Sequence, residues 1–335
     1  MRSTTRFFQV VGAFSAIAAL ATGCGAAGAS ASGGHKVDLV AYSTPQKAFD
    51  DLIAAFKGTA GGSGATFSES FGASGAQSRA VLAGQPADVV EFSLEPDLTK
   101  LVKANLVPAD WNANTYHGIV TDSVVVLVVR KGNPKHVTGW SDLTQPGIKV
   151  VTPNVASSGS AKWNLLAAYG AQLKLGKSPD EALAFVTELL KHTVAQPDSG
   201  SKATAAFVGG TGDVLISYEN EAIAAKQAGA DVDYVTPPQT ILIENPIAVT
   251  TTAKDNATAK AFVQFLYTDA AQKIFAQHGY RPVVAADFDA TQFPKPAQLF
   301  TIDDLGGWST VNTQFFDPAS GSITKIVNTL GGASG

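Results

Sequence analysis

Four short strings in this 335-residue sequence put serine and glycine where a strand would give way to a helix. They are Ser74-Gly75, Ser158-Gly159-Ser160, Ser199-Gly200-Ser201 and Ser217-Tyr218. Such junctions suit anions. The first N–H groups of a helix lack partners within it and carry partial positive charge. Glycine lets an anion come close to the backbone, and serine adds a neutral O–H donor. Several such turns brought together would cradle an oxyanion. Each string also has a plainer reading. Ser74-Gly75-Ala76-Gln77 has the form of a capping box, worth about 1 kcal/mol to its helix, and Ser158 and Ser201 suit ordinary caps. Signs of catalysis are poorer. Gly72-Ala73-Ser74-Gly75-Ala76 departs from the nucleophile elbow at its last position. Neither a Walker A loop nor a dinucleotide fingerprint occurs. His35, His117, His136, His192 and His278 are scattered, without a spacing that suits zinc. Glu219 and Glu221 open a helix, where acids favour the dipole, and read as structural. No catalytic set, metal or cofactor is expected.

The elements that must position these turns follow from periodicity. Apolar runs predict strands at 37–42, 66–70, 87–92, 123–130, 149–152, 213–217 and 241–250. Helical spacing predicts helices at 45–57, 75–83, 160–175, 178–191, 203–208, 219–228, 256–267, 269–278 and 322–330. Ser178 with Glu181 three residues on is a second capping box. Strands alternating with helices predict an α/β fold with crossovers. In such sheets ligands bind beyond the carboxyl ends of the strands, where the four serine turns fall.

Composition limits the class of protein. Hydrophobic residues make up 45% and charged residues 16%, a globular balance. The net charge of −4 offers no general basic surface to nucleic acid. Residues 1–23 have the layout of a signal peptide: Arg2 and Arg6, then an apolar stretch from Phe7 to Ala21. Cys24, the only cysteine, follows Leu20-Ala21-Thr22-Gly23 and resembles the lipidated cysteine of a bacterial lipobox. Removing the leader takes two arginines and no acid, moving the net charge from −4 to −6. Residues 24–35 then form a lipidated, flexible tether, and the expected location is extracytoplasmic, anchored to the cell membrane or in a periplasm.

Longer strings carry a resemblance. Gly72-Ala73-Ser74-Gly75-Ala76-Gln77-Ser78-Arg79, Ala87-Asp88-Val89-Val90, Pro108-Ala109-Asp110-Trp111 and Arg130-Lys131-Gly132-Asn133-Pro134 occur in order. Ser158-Gly159-Ser160-Ala161-Lys162-Trp163-Asn164, Ser217-Tyr218-Glu219-Asn220-Glu221-Ala222 and Tyr280-Arg281-Pro282 follow. From about residue 38 onward the chain resembles the sulfate-binding proteins of ABC importers. The resemblance implies a two-lobed periplasmic-binding-protein fold of type II, with a mixed sheet flanked by helices in each lobe and the ligand in the cleft between. Residues 36–118 would form the first part of lobe 1, 119–246 lobe 2, and 247–335 the rest of lobe 1 with the C-terminal helices. Sulfate would be held by neutral donors from Thr44, Ser74, Ser158, Gly159, Ser160, Ser201 and Tyr218. A monomer would deliver it to the permease and ATPase subunits of an importer. Two positions depart from the family's pattern: Tyr218 stands in place of a tryptophan whose indole N–H meets the anion, and Ser160 in place of a glycine. Thiosulfate, molybdate and phosphate are therefore competing ligands. Asp198 lies near a pocket turn, as an acceptor for a phosphate proton or as a helix cap. The other classes weighed are a hydrolase and a lipoprotein that engages only protein partners.

Overall fold

A computed structural model describes residues 36–284 and 291–330; the expected leader, Cys24 and tether lie outside the described residues. The chain begins with β1 (Lys36–Tyr42), α1 (Gln46–Lys57), β2 (Thr66–Gly72), α2 (Ser74–Leu82), β3 (Val89–Glu91) and α3 (Glu95–Lys103). β1 lies between β2 and β3, parallel to both. Its alternate side chains enter two cores: Leu39 and Ala41 one, Val40 the other. α1 buries Ala48, Phe49, Leu52, Ile53 and Phe56, the residues its apolar spacing selects. Burial of each large side chain contributes about 1.5–3 kcal/mol.

The next stretch holds β4 (Ile119–Arg130), β5 (Val150–Val151), α4 (Gly159–Lys174), α5 (Pro179–Lys191), β6 (Thr193–Ala195) and α6 (Gly200–Val208). It continues with β7 (Val214–Tyr218), α7 (Glu219–Gln227), β8 (Val232–Val235) and β9 (Gln239–Val249). β4 reads as a nearly continuous apolar run because both its faces are covered. Val125, Leu127 and Val129 face one core, and Val124, Val126 and Val128 another. The Ser178–Glu181 capping box opens α5 as expected, with both of its hydrogen bonds formed.

β4 and β9 join the two lobes. The sheet order is β2-β1-β3-β9-β4-β7-β5-β6. The end of β9, Ile247 to Val249, pairs with β3, while its earlier residues pair with the start of β4. The rest of β4 pairs with β7. α8 (Ala257–Leu266) and α9 (Asp269–Gln277) then return to the first lobe, where Phe262 and Phe275 pack on Phe49. β10 (Arg281–Pro282) pairs with β4.

The expected division gives 247–335 the second part of lobe 1 and the C-terminal helices, with the placing of those helices left open. β11 (Gln298–Phe300) pairs with the start of β9, at Gln239 to Ile241. α10 (Gly307–Val311), a π-turn at Asn312–Phe316 and α11 (Ser322–Thr329) follow. Trp308, Val311, Phe315, Ile323 and Val327 share a core with α4 and α5, so this segment belongs to the second lobe. The reason is burial: α4 has apolar residues all round, and the tail covers a face that the sheet and α5 leave open. Among the described residues, no helix is long and apolar enough to cross a membrane.

Candidate functional site

Four helices begin in one region: α2 at Ser74, α4 at Gly159, α6 at Gly200 and α7 just after Tyr218. β4 and β9 bring the first of these, from one lobe, against the other three. The contacts across the cleft are direct. The Ser93 hydroxyl lies 2.6 Å from the Tyr218 hydroxyl, and the Trp163 indole N–H donates to the Ser93 carbonyl at 2.8 Å. Gly75 N–H donates to the Ser157 carbonyl at 3.1 Å. Ser201 donates through its hydroxyl to Ser43 at 2.8 Å.

Glycine is needed where the walls meet. A Cβ on Gly159 would sit 2.6 Å from the Ser93 hydroxyl oxygen and 2.8 Å from its Cβ. A Cβ on Gly200 would sit 2.9 Å from the Ser160 hydroxyl oxygen and 3.4 Å from that of Thr44. Thr44, Ser160 and Gly200 therefore surround one point. Burial, eased by hydrogen bonding, raises the Tyr218 phenol far above its ordinary range, so it stays protonated and able to donate.

The remaining expected donors are placed as follows. Ser158 is buried and takes the N-cap position of α4, but its side chain makes no capping bond. Ser74 is the first residue of α2, and Ala73 is the N-cap. The capping-box reading of Ser74 and Gln77 fails: Gln77 turns to the Ala41 carbonyl and the Ser70 hydroxyl. The Ser74 hydroxyl donates to Asp97 at 2.7 Å and accepts from Ser93 N–H at 3.1 Å. Its hydroxyl is thus already engaged within the first lobe. Ser199, not Ser201 or Asp198, caps α6 by accepting from Lys202 N–H. Asp198 is exposed and paired with Lys202 at 2.9 Å.

Sequence reasoning does not pick out Ser43, Ser93 and Asp97; Glu221 lies in the first turn of α7 as expected, and in addition holds hydroxyls at the cleft. Glu221 is buried and accepts from Thr44 at 2.8 Å, from Ser217 at 3.1 Å and from Thr204. Burial raises its pKa, opposed by those three hydroxyl donors. A serine just past β3 was the available signal for Ser93, since β3 ends at the same edge as the other turns. Nothing local marks Glu221, whose partners come from three other segments. Glu219, its neighbour on α7, is held bidentately by Arg281 at 2.7 and 3.0 Å, away from these hydroxyls.

The donor set is neutral. Among the described residues, no lysine or arginine side chain hydrogen-bonds any of the seven expected site residues. Hydroxyls from both lobes and four helix starts converge, a set of neutral donors of the kind an oxyanion accepts from. Among the described residues, no group of three or more His, Cys, Asp or Glu is arranged for a metal ion.

The chain as a whole has known relatives. The profile of the family described as bacterial extracellular solute-binding protein matches residues 37–281. A sulfate-binding protein of Synechococcus elongatus is 40% identical over 324 residues, covering 92% of each chain. A sulfate-binding protein of Escherichia coli is 39% identical over 268 residues, 74% of this chain and 79% of that one. Among solved structures, the sulfate-binding protein SubI from Mycobacterium tuberculosis superposes with a TM-score of 0.81 at 52% identity. That match covers 84% of this chain and 99% of the other.

Proposed function

The chain belongs to the bacterial extracellular solute-binding proteins, in the group of sulfate-binding proteins, and from that premise we propose that it captures sulfate between its lobes and delivers it to an ABC importer. The observation that supports this most is the neutral, two-sided donor set around Gly159, Ser160, Gly200 and Tyr218. A fully ionised dianion accepts hydrogen bonds at every oxygen. Hydrogen phosphate must also donate one, and a buried donor without a partner costs about 1–3 kcal/mol. The pocket is rich in O–H and N–H donors, which suits sulfate. Thr44, Ser74, Ser158, Gly159, Ser160, Ser201 and Tyr218 are the proposed ligand-binding residues, with Ser74 acting through its backbone.

Closure would be a hinge motion along β4 and β9, stabilised by an anion that touches both lobes. The importer's permease and ATPase would then receive the ligand from a monomeric carrier that returns it unchanged. Cys24 would carry the lipid that keeps the carrier at the membrane after the leader is removed.

Isothermal titration of the mature, extensively dialysed protein with sulfate tests the reading. The expected result is one-to-one binding, stronger than that of phosphate. Absence of heat in a folded, ligand-free sample, followed by binding of thiosulfate or molybdate, would move the specificity to that anion. No response to any of the four would leave a lipoprotein whose ligand is not an oxyanion. Ser158→Ala is expected to lower sulfate affinity by about 1–3 kcal/mol without changing the melting temperature. An unchanged affinity would remove Ser158 from the site.

A further inference from the structure

A second cavity, of about 570 Å³, lies on the far side of the Gly75–Ser157 contact from the serine cleft. One wall comes from α2 and α3, the other from α4, the loop before it, the π-turn and α11. None of the seven proposed sulfate donors lines it.

Its charge is lopsided. Arg79, Lys100, Lys103 and Lys162 line it, and Asp317 is the one acid among the lining residues. Asp317 is turned to its own loop, where it accepts from Ser320 and from Ala319 N–H. Of the four cations only Lys100 is in an ion pair among the described residues, with Asp97 at 2.8 Å. Lys162 is partly buried, and desolvation lowers its pKa to about 8. Among the described residues its side chain meets the Asn312 side-chain oxygen at 3.5 Å and the Phe316 ring at 5.0 Å. Its counter-charge is Asp97, which Lys100 already pairs, so a partly desolvated ammonium here is further stabilised by an anion that reaches it.

Size decides what kind of anion. The volume falls in the range of sites for whole organic molecules, about 300–1,000 Å³, well beyond what a bare tetrahedral oxyanion fills. Val155, Phe316 and Val327 supply an apolar surface opposite the charges. We propose that this cavity is a second anion site, taking a small organic anion whose charged head meets Lys162 and Arg79 and whose apolar body rests on Phe316, Val155 and Val327.

Benzenesulfonate is a probe of that shape, and benzyl alcohol is its uncharged control. Calorimetric titration of the full mature chain is expected to show one-to-one binding of benzenesulfonate and none of benzyl alcohol. The double variant Lys162→Gln with Arg79→Gln should weaken binding by at least about tenfold, as expected for loss of two charge-assisted contacts. Ser158→Ala, which alters only the cleft, should leave it unchanged. If the Lys162 substitution disturbs folding, the exposed pair Arg79→Gln with Lys103→Gln carries the same test, read with the melting temperature. Absence of benzenesulfonate binding overturns the proposal. So does equal binding of benzyl alcohol, undiminished binding in the charge variants, or loss of binding in Ser158→Ala, which would put the probe in the cleft. None of these arms uses sulfate, so they remain readable if the sulfate reading fails.

Discussion

Tyr218 meets the Ser93 hydroxyl from the opposite wall of the cleft. The kind of donor was legible in the sequence, because serine and glycine at strand–helix junctions announce it. The partners were not, since Ser93, Asp97 and Glu221 reach the site only through the fold. Glu221 gives the sharpest consequence. Its pKa is raised by burial, so it is neutral at a pH where an exposed glutamate has ionised. As pH rises through its folded value it gains charge beside Thr44, opposing a dianion there. Sulfate affinity is expected to fall as pH rises through the titration of Glu221 in the parent chain and to lack that step in Glu221→Gln, as read by calorimetric titration across a pH series. Glu91 makes the corresponding case for stability. It is fully buried, and neither carboxyl oxygen has a hydrogen-bond partner among the described residues. Burial raises its pKa well above the usual carboxylate range. Its contribution is complete below the unfolded value, about 4.3, and is lost as pH rises towards the folded one. Glu91→Gln should therefore melt higher than the parent at pH 8, with the gap closing towards pH 4.

The helix starts were predicted closely where an apolar stripe or a capping serine marks them, as in α1 and α5. α3 was missed although its ends were marked: Glu95 and Asp97 lie in its first turn, Lys100 and Lys103 in its last. It is short, and two of its four buried positions are Pro96 and Asp97, so the apolar stripe rests on Leu98 and Leu101 alone. The approach of α4 to Ser93 leaves no room for a side chain at Gly159. Gly159→Ala would push a methyl group into the Ser93 side chain and force the walls apart. Overpacking of this kind costs about 1–3 kcal/mol, and because it falls on the closed arrangement it is expected to appear mainly as weakened sulfate binding. A variant with parental affinity would show that the cleft closes without this contact.

The two-lobed plan is implied by the family resemblance that the ordered motifs carry, but the placing of the last segment is not. Its Trp308, Phe315 and Ile323 are apolar residues that would suit either lobe, and only the open face of α4 decides between them. The three crossings, along β4, along β9 and between β10 and β11, make a hinge that can bend but not separate. Small-angle X-ray scattering is expected to show a smaller radius of gyration on adding sulfate, with no change in molecular mass. An unchanged radius would mean that the lobes are already held together without ligand. The same threading governs how the chain can be built. Val89 on β3 pairs with Val249 on β9, so the first sheet has a bare edge until most of the chain is present. The core around Phe49 likewise waits for Phe262 and Phe275. A nascent chain ending anywhere before α8 would carry a half-made first lobe, with unpaired strand groups and exposed phenylalanines, a surface prone to aggregation. Contacts so distant in sequence form slowly. The molecule is therefore suited to a route that keeps it unfolded until its last strands and helices have emerged.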